Sequence, residues 1–108
     1  MADFEGTIAL TAAQVRDLDA FIHEPATRQG DVFDHGSMAV DQHLNLDWII
    51  KHDLFEGVVL QISLMTEDGT RFLAGEGRSL NHVDDALQPV SLRHDNRSYR
   101  ATFKPQDN

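Results

Sequence analysis

A strict alternation of side chains over residues 58–65 constrains the fold more than any other feature of the sequence. This period of two is typical of a half-buried strand. Glu67-Asp68-Gly69-Thr70 follows, and Asp-Gly is a favoured pair in tight hairpin turns. Residues 71–80 are therefore expected to return as a second strand, in which Gly75 and Gly77 predict a bulge or a close approach by another backbone or a ligand. One side of the first strand is wholly aliphatic: Val58, Leu60, Ile62 and Leu64.

The first 23 residues predict a strand followed by a helix. Phe4 to Leu10 has an alternating pattern, and Thr11 with Gln14 three residues later has the pattern of a capping box. A helix is expected from Ala12 to about His23, because Pro25 prevents its continuation. Its apolar face has helical spacing and consists of Val15, Leu18 and Ile22, with Phe21 beside them.

The segment from residue 25 to residue 56 is harder to interpret. Residues 25–37 are rich in turn formers and have no period, so a long loop is expected there. Met38 to Leu46 alternates and predicts a half-buried strand. Asp47 could cap a short helix over Trp48–Glu56 that ends at Gly57 in the left-handed conformation, because Ile50 and Leu54 have i, i+4 spacing. The alternative is that the strand continues through Trp48 and Ile50.

The C-terminal part predicts a helical turn and a second hairpin. Residues 81–88 precede Pro89 and are expected to form the helical turn. Val90–Arg93 and Tyr99–Lys104 then predict two strands joined through residues 94–98, with Tyr99 facing the core and Arg100 facing solvent. The expected fold is a single α+β domain over residues 1–108. It has a mainly antiparallel sheet of five or six strands and two helices packed on one face.

The charge of the chain is unevenly distributed. The formal charge is −9, yet residues 90–106 carry four basic residues and only one acidic residue. A net acidic chain is not expected to bind nucleic acid, because phosphate neutralisation supplies most of such affinity. The sequence has no long apolar run and no cysteine, so we expect a cytoplasmic protein without a membrane segment.

No motif for catalysis or cofactor binding is present. The six histidines do not occur in zinc-binding spacings, and no serine lies in a nucleophile elbow. The nearest approach to a ligand or metal site is the set His35, Asp41 and His43. We therefore expect no cofactor and a protein that is not an enzyme.

These observations favour a small acidic protein that binds, regulates or inhibits a protein partner. Carboxylates can occupy basic sites where phosphates would otherwise lie, as in the general class of immunity proteins and phage-encoded inhibitors. The candidate acidic contacts are Asp17, Asp19, Asp31 and Asp34, and the candidate basic contacts are Arg93, Arg97 and Arg100. The basic hairpin could instead bind a second copy and form a homodimer. A ligand-binding or catalytic pocket near residues 25–43, and a purely structural subunit, are the alternatives.

Overall fold

The computed structural model describes residues 3–23, 31–68 and 71–106, which contain seven strands and two helices. The elements follow one another in the order β-α-β-β-β-β-α-β-β. Their bounds are β1 Phe4–Leu10, α1 Ala12–His23, β2 Val32–Ala39, β3 Leu44–Asp53, β4 Gly57–Thr66, β5 Phe72–Leu80, α2 Val83–Ala86, β6 Val90–His94 and β7 Arg97–Pro105.

The strands form two sheets, whereas the sequence predicted one sheet of five or six strands. The four-stranded sheet is an antiparallel meander in the order β2-β3-β4-β5, and the three-stranded sheet has the order β1-β7-β6. In the smaller sheet, β1 pairs in parallel with β7, so that Phe4 lies opposite Tyr99. The α+β class is confirmed. The single sheet is wrong because periodicity identifies a strand but not its pairing partner.

Helix α1 has the predicted bounds and the predicted cap. The Gln14 backbone N–H donates to Thr11 Oγ1 over 3.1 Å, and the Thr11 N–H donates to Gln14 Oε1 over 2.9 Å. These two bonds satisfy backbone donors near the start of the helix. Leu18 is fully buried, as the apolar face requires. Within the described residues, neither helix is long and apolar enough to cross a membrane.

Strand β2 and its turn correct two predictions. Residues 32–37 of the predicted loop belong to β2, while residues 25–30 lie outside the described residues. The predicted strand Met38–Leu46 is interrupted by a turn between β2 and β3. In that turn, Asp41 Oδ1 accepts the His43 N–H at 2.7 Å, and the Leu44 carbonyl accepts the Val40 N–H at 2.9 Å. The sequence alternates across the turn as well, because polar turn residues occupy positions where a continuous strand would place its exposed side chains.

The predicted helix over residues 48–56 is wrong, and the alternative of a longer strand is confirmed. Strand β3 extends to Asp53 and buries every second side chain, namely Leu46, Trp48, Ile50 and His52. Because the β-branched Ile49 and Ile50 suit a pleated strand, the i, i+4 spacing of Ile50 and Leu54 was coincidental. Gly57 has the predicted left-handed backbone, with φ of 75°, but it ends a turn and not a helix.

The two predicted hairpins are confirmed with small changes. Strands β4 and β5 pair across residues 58–80, while Gly69 and Thr70 of the predicted turn lie outside the described residues. The register shift lies at Leu64/Met65, and Gly75 and Gly77 pair regularly. The second hairpin is tighter than expected. Its two-residue turn, Asp95-Asn96, has φ of 52° and 63°, the positive values that a type I′ turn requires. The predicted helical turn before Pro89 is α2.

The two sheets meet through Trp48. Its ring is 5.1 Å from that of Phe103 in an edge-to-face arrangement, which joins β3 of one sheet to β7 of the other. Gly36 on β2 pairs with Trp48 and provides the space for the indole ring. A single cluster of buried side chains includes Trp48, Phe103 and Leu18, so the core receives residues from both sheets and from α1.

We predict that Gly36→Ala destabilises the fold by about 1–3 kcal/mol, because a Cβ at this position would lie 2.7 Å from the Trp48 ring. The ring is held against Phe103 and cannot move away without loss of packing. Gly77→Ala is the matched control, since its Cβ would meet the flexible Gln61 side chain at 3.3 Å. Thermal unfolding should show a lower midpoint for Gly36→Ala only. Equal midpoints for the two variants would contradict the prediction.

Candidate functional site

The turn between β3 and β4 presents two exposed apolar side chains. Leu54 is 59 % exposed and Phe55 is 88 % exposed. Asp53 fixes the turn because its Oδ2 accepts the backbone N–H groups of Phe55 and Glu56, each at 3.1 Å. Aromatic side chains are enriched at the centres of protein interfaces, and a fixed turn lowers the entropy that binding would cost.

A groove of about 320 Å³ lies beside this turn on the outer face of the four-stranded sheet. Val59 and Gly77 contribute apolar surface, while Asp53 and Glu56 contribute carboxylates. Ser79 Oγ donates to Glu56 Oε2 over 3.0 Å and positions that carboxylate. The complete lining is Asp53, Glu56, Val59, Gln61, Gly77, Arg78 and Ser79.

The guanidinium of Arg78, which lines this groove, forms its hydrogen bonds with backbone carbonyls. Arg78 donates to the carbonyls of Asp85, Gln88 and Pro89 at 3.2, 3.0 and 2.7 Å. These bonds hold the segment between α2 and β6 against β5. The carboxylates of Asp53 and Glu56 make no ion pair with a lysine or arginine among the described residues, so the groove has a negative character.

Several segments converge at this end of the molecule. The His52 N–H donates to the Asp31 carbonyl over 2.8 Å, and the Phe21 ring of α1 lies 4.3 Å from the His52 ring. His23, at the end of α1, lies 6.4 Å from His82 before α2, measured between ring centroids. We call this region the acidic end, defined by Asp19, Asp31, Asp53, Glu56 and the exposed Leu54 and Phe55.

The structure brings some of the predicted contact residues to the acidic end. Asp17 and Asp19 are exposed on α1, on either side of the buried Leu18. Asp19 Oδ1 lies 3.6 Å from Nδ1 of His23 in the last turn of α1. Asp31 lies next to the end of β3, where its carbonyl accepts the His52 N–H. Asp34 lies further along β2, where its Oδ1 accepts the His35 N–H over 2.9 Å.

The predicted basic contacts lie at the opposite end. Arg97 lines a second cavity together with Asp41 of the β2–β3 turn, and β3 separates that turn from Asp53 by about 30 Å at roughly 3.3 Å per residue. Arg100 is less exposed than predicted, because β1 lies beside β7 and places Glu5 3.2 Å from its guanidinium. Its buried Nε has no hydrogen-bond partner among the described residues.

The predicted set His35, Asp41 and His43 is also divided. His35 is paired with Ile49 in the middle of β2, whereas Asp41 and His43 occupy the turn that follows this strand. Within residues 3–23, 31–68 and 71–106, no group of three or more potential ligands is arranged to hold a metal ion.

His43 instead forms a pair with Glu67, at 2.7 Å between Nδ1 and Oε2. The hydrogen bond and the charge of Glu67 raise the pKa of His43 above its ordinary value. Because the pKa is raised in the folded state, the pair stabilises the fold below the ordinary pKa of histidine. That contribution is lost as the pH rises through the raised value. Both side chains are exposed, so the contribution is small.

The sequence did not identify residues 53–56 as a site. The predicted helix placed Leu54 on a buried face, whereas the fixed turn exposes it. The sequence did contain one indication of this turn. Alternation continued from Leu46 would bury Leu54, but Phe55, Glu56 and Gly57 do not continue the alternation, which indicates that the strand ends before them. An aspartate followed by a turn and a glycine is typical of a side chain that caps its own turn.

Comparison of the chain with protein-family models, with curated proteins and with solved structures gave no match.

We predict that Glu67→Gln lowers the pKa of His43 towards its ordinary value, because it removes the charge that favours the imidazolium. Asp41→Asn is the control and should have a smaller effect, since the charge of Asp41 is the weakest of the interactions that raise this pKa. The measurement is a pH titration of the His43 ring protons by NMR. A titration curve unchanged by Glu67→Gln would contradict the assigned pair.

Proposed function

We propose that the protein is a non-enzymatic regulator or inhibitor that binds a basic protein surface through its acidic end. The observation that carries the proposal is Phe55, 88 % exposed on a turn that Asp53 fixes, with carboxylates around it. An aromatic anchor surrounded by charged groups is the usual arrangement of an interface hot spot and its rim. A cytoplasmic location and the absence of a cofactor remain expectations that accompany this proposal.

The division of roles follows from the chemistry of the surface. Phe55 and Leu54 would supply the apolar contact area, whose removal from water favours binding. Asp17, Asp19, Asp31, Asp53 and Glu56 would attract basic side chains of the partner and accelerate encounter. Asp34 would contribute only at the border, because it lies further along β2.

A second copy of the chain is the other partner that the sequence suggested. A homodimer would place the basic hairpin of one copy against the acidic end of the other. Arg97, however, lies beside Asp3 and Asp41, which line the same cavity. Because these carboxylates offset its charge, the hairpin is a weaker counterpart than an independent basic protein. We therefore favour a different protein as the partner.

A small-ligand site near residues 25–43 is the second candidate function. One observation favours it: Asp41 and the adjacent Val40 line a cavity of about 280 Å³. His35 does not line that cavity, so the site differs from the one that the sequence suggested.

We predict that Phe55→Ser weakens partner binding by about 2 kcal/mol or more, roughly thirtyfold, because it removes the anchor. The matched control is Phe72→Ser, which changes another exposed phenylalanine (63 % exposed) outside the acidic end. Affinity capture from the native cells with wild type and both variants, quantified by mass spectrometry, identifies the partner as the protein lost with Phe55→Ser alone. Equal capture by all three chains contradicts the proposal, as does the absence of any captured protein.

We also predict that association with this partner weakens steeply as salt is raised from 0.15 M to 1 M, because the Debye length falls from about 8 Å to about 3 Å. Reversal of the helix charges in Asp17→Lys/Asp19→Lys should abolish it. Glu56→Lys should weaken it, whereas Glu76→Lys, an exposed glutamate on β5 outside the acidic end, should not. Titration calorimetry of the purified protein with its purified partner measures the salt dependence and the affinities of the three variants. Indifference to salt and to the helix substitutions would exclude an electrostatic surface.

A further inference from the structure

His52 is a buried ionisable side chain on the inner face of β3. It is 5 % exposed, and its Nδ1 atom is buried without a hydrogen-bond partner among the described residues. Buried polar atoms without a partner are rare in native proteins, and each one requires an explanation. An apolar side chain would cover the same part of the core without leaving a polar atom unsatisfied. The imidazole therefore points to a role that depends on its proton.

The immediate neighbours of the His52 ring are aromatic and aliphatic. Its centroid lies 4.3 Å from that of the Phe21 ring of α1, and the Phe21 centroid lies 5.4 Å from that of Phe33 on β2. Val58 lies opposite His52 on β4 and is also buried. These side chains stabilise a neutral ring through packing, but they offer no acceptor for an additional N–H.

Charged groups surround this contact without pairing with it. His52 forms no ion pair with a described residue, and Asp31 accepts the His52 N–H through its backbone carbonyl and not through its carboxylate. Strand β4 contributes no ionisable residue. The ionisable residues that the other adjoining segments contribute are Asp19 and His23 of α1, Asp31 before β2, Asp34 of β2, Lys51 and Asp53 of β3, and His82 before α2.

A proton on the His52 ring would disturb this contact. A neutral imidazole can leave Nδ1 without a hydrogen, whereas an imidazolium carries an N–H on both nitrogens. The N–H at Nδ1 would have no acceptor, and the positive charge would be buried without a counter-ion. The face of the Phe21 ring attracts a cation, but this attraction is weaker than the cost of burying an unpaired charge. The closed contact therefore favours the neutral ring.

Helix α1 is the element that can yield at this contact. Strand β3 is paired with β2 on one side and with β4 on the other, so the backbone of His52 is fixed. Among the residues that the structure describes in α1, only Leu18 is buried, while Phe21 and Ile22 are half-buried. Segments with few buried apolar contacts open locally at a smaller free-energy cost than global unfolding.

We propose that the contact between His52 and Phe21 is a pH-sensitive device: when His52 takes up a proton, the C-terminal half of α1, residues 18–23, separates from β3. The released form carries one proton more than the closed form. Its share therefore rises by up to about tenfold for each unit that the pH falls through the range in which exposed histidines titrate. His23 acts in the opposite direction, because a positive charge at the end of α1 stabilises the helix.

The test is amide hydrogen exchange of the purified chain at about pH 7.5 and about pH 5, on either side of the range in which histidines titrate. Protection factors remove the pH dependence of intrinsic exchange. We expect the protection of the Leu18–His23 amides to be at least tenfold lower at the acidic pH, while the Ile50 and Leu60 amides of the sheet keep theirs. Unchanged protection of α1 overturns the proposal, and so does an equal loss in the sheet, which would indicate global unfolding.

Histidine variants assign the effect to one ring. His52→Phe and His52→Leu retain an apolar contact with Phe21 and cannot take up a proton, so the protection of α1 should change less than twofold between the two pH values. His23→Gln and His82→Gln are the matched controls, because two protonated rings 6.4 Å apart would repel each other and would also displace α1. Both controls should retain the tenfold fall. A fall that persists in the His52 variants, or disappears in His82→Gln, contradicts the proposal.

The wild-type chain provides a readout that needs no substitution. The ¹⁵N shifts of the His52 ring should remain those of a neutral imidazole while α1 is protected, and an imidazolium signal should appear only together with the loss of that protection. A protonated His52 ring in a chain whose α1 stays protected would overturn the proposal. Because the free chain is measured, the outcome does not bear on the partner of the acidic end.

Discussion

The contact of Trp48 with Phe103 and Gly36 is the interaction on which the rest of the structure depends. It joins a strand of the four-stranded meander to the last strand of the chain, which in turn pairs in parallel with the first. A large ring that packs edge to face, over a glycine without a side chain, also fixes the distance between the sheets.

This packing determines where function can lie. The inner faces of both sheets are used for the core, so binding sites are left at the two ends and on the outer face of the meander. At one end, Asp53 fixes an exposed aromatic turn above a negatively charged groove. At the other end, the sheets separate around Tyr99 and leave a small cavity with charges of both signs. The net charge of −9 therefore describes two different surfaces and not a uniform one.

The sequence predicted the elements in which local signals agree. The capping box of α1, the alternation over Val58–Met65 and the pairing of two strands before and after residues 94–98 each follow from local physical chemistry, and each is present. The helix predicted over residues 48–56 failed because an i, i+4 spacing competed with alternation, and burial by the opposite sheet favoured the strand. The parallel pairing of β1 with β7 could not be predicted, since its contacts join residues about 95 positions apart, as between Asp3 and Ser98.

The dependence on contacts between distant residues also explains why the sequence predicted only part of the candidate site. Asp17, Asp19 and Asp31 were predicted as contacts from the charge and the spacing of residues in the sequence, which are local properties. Phe55 was missed because its exposure depends on the strand that precedes it. Partner binding at the acidic end is tested most directly by hydrogen exchange of the chain with and without its captured partner. We predict slower exchange of the Leu54–Gly57 amides and of the C-terminal half of α1, with no change at Val40–His43. Protection confined to Val40–His43, or absent from the β3–β4 turn, would contradict it.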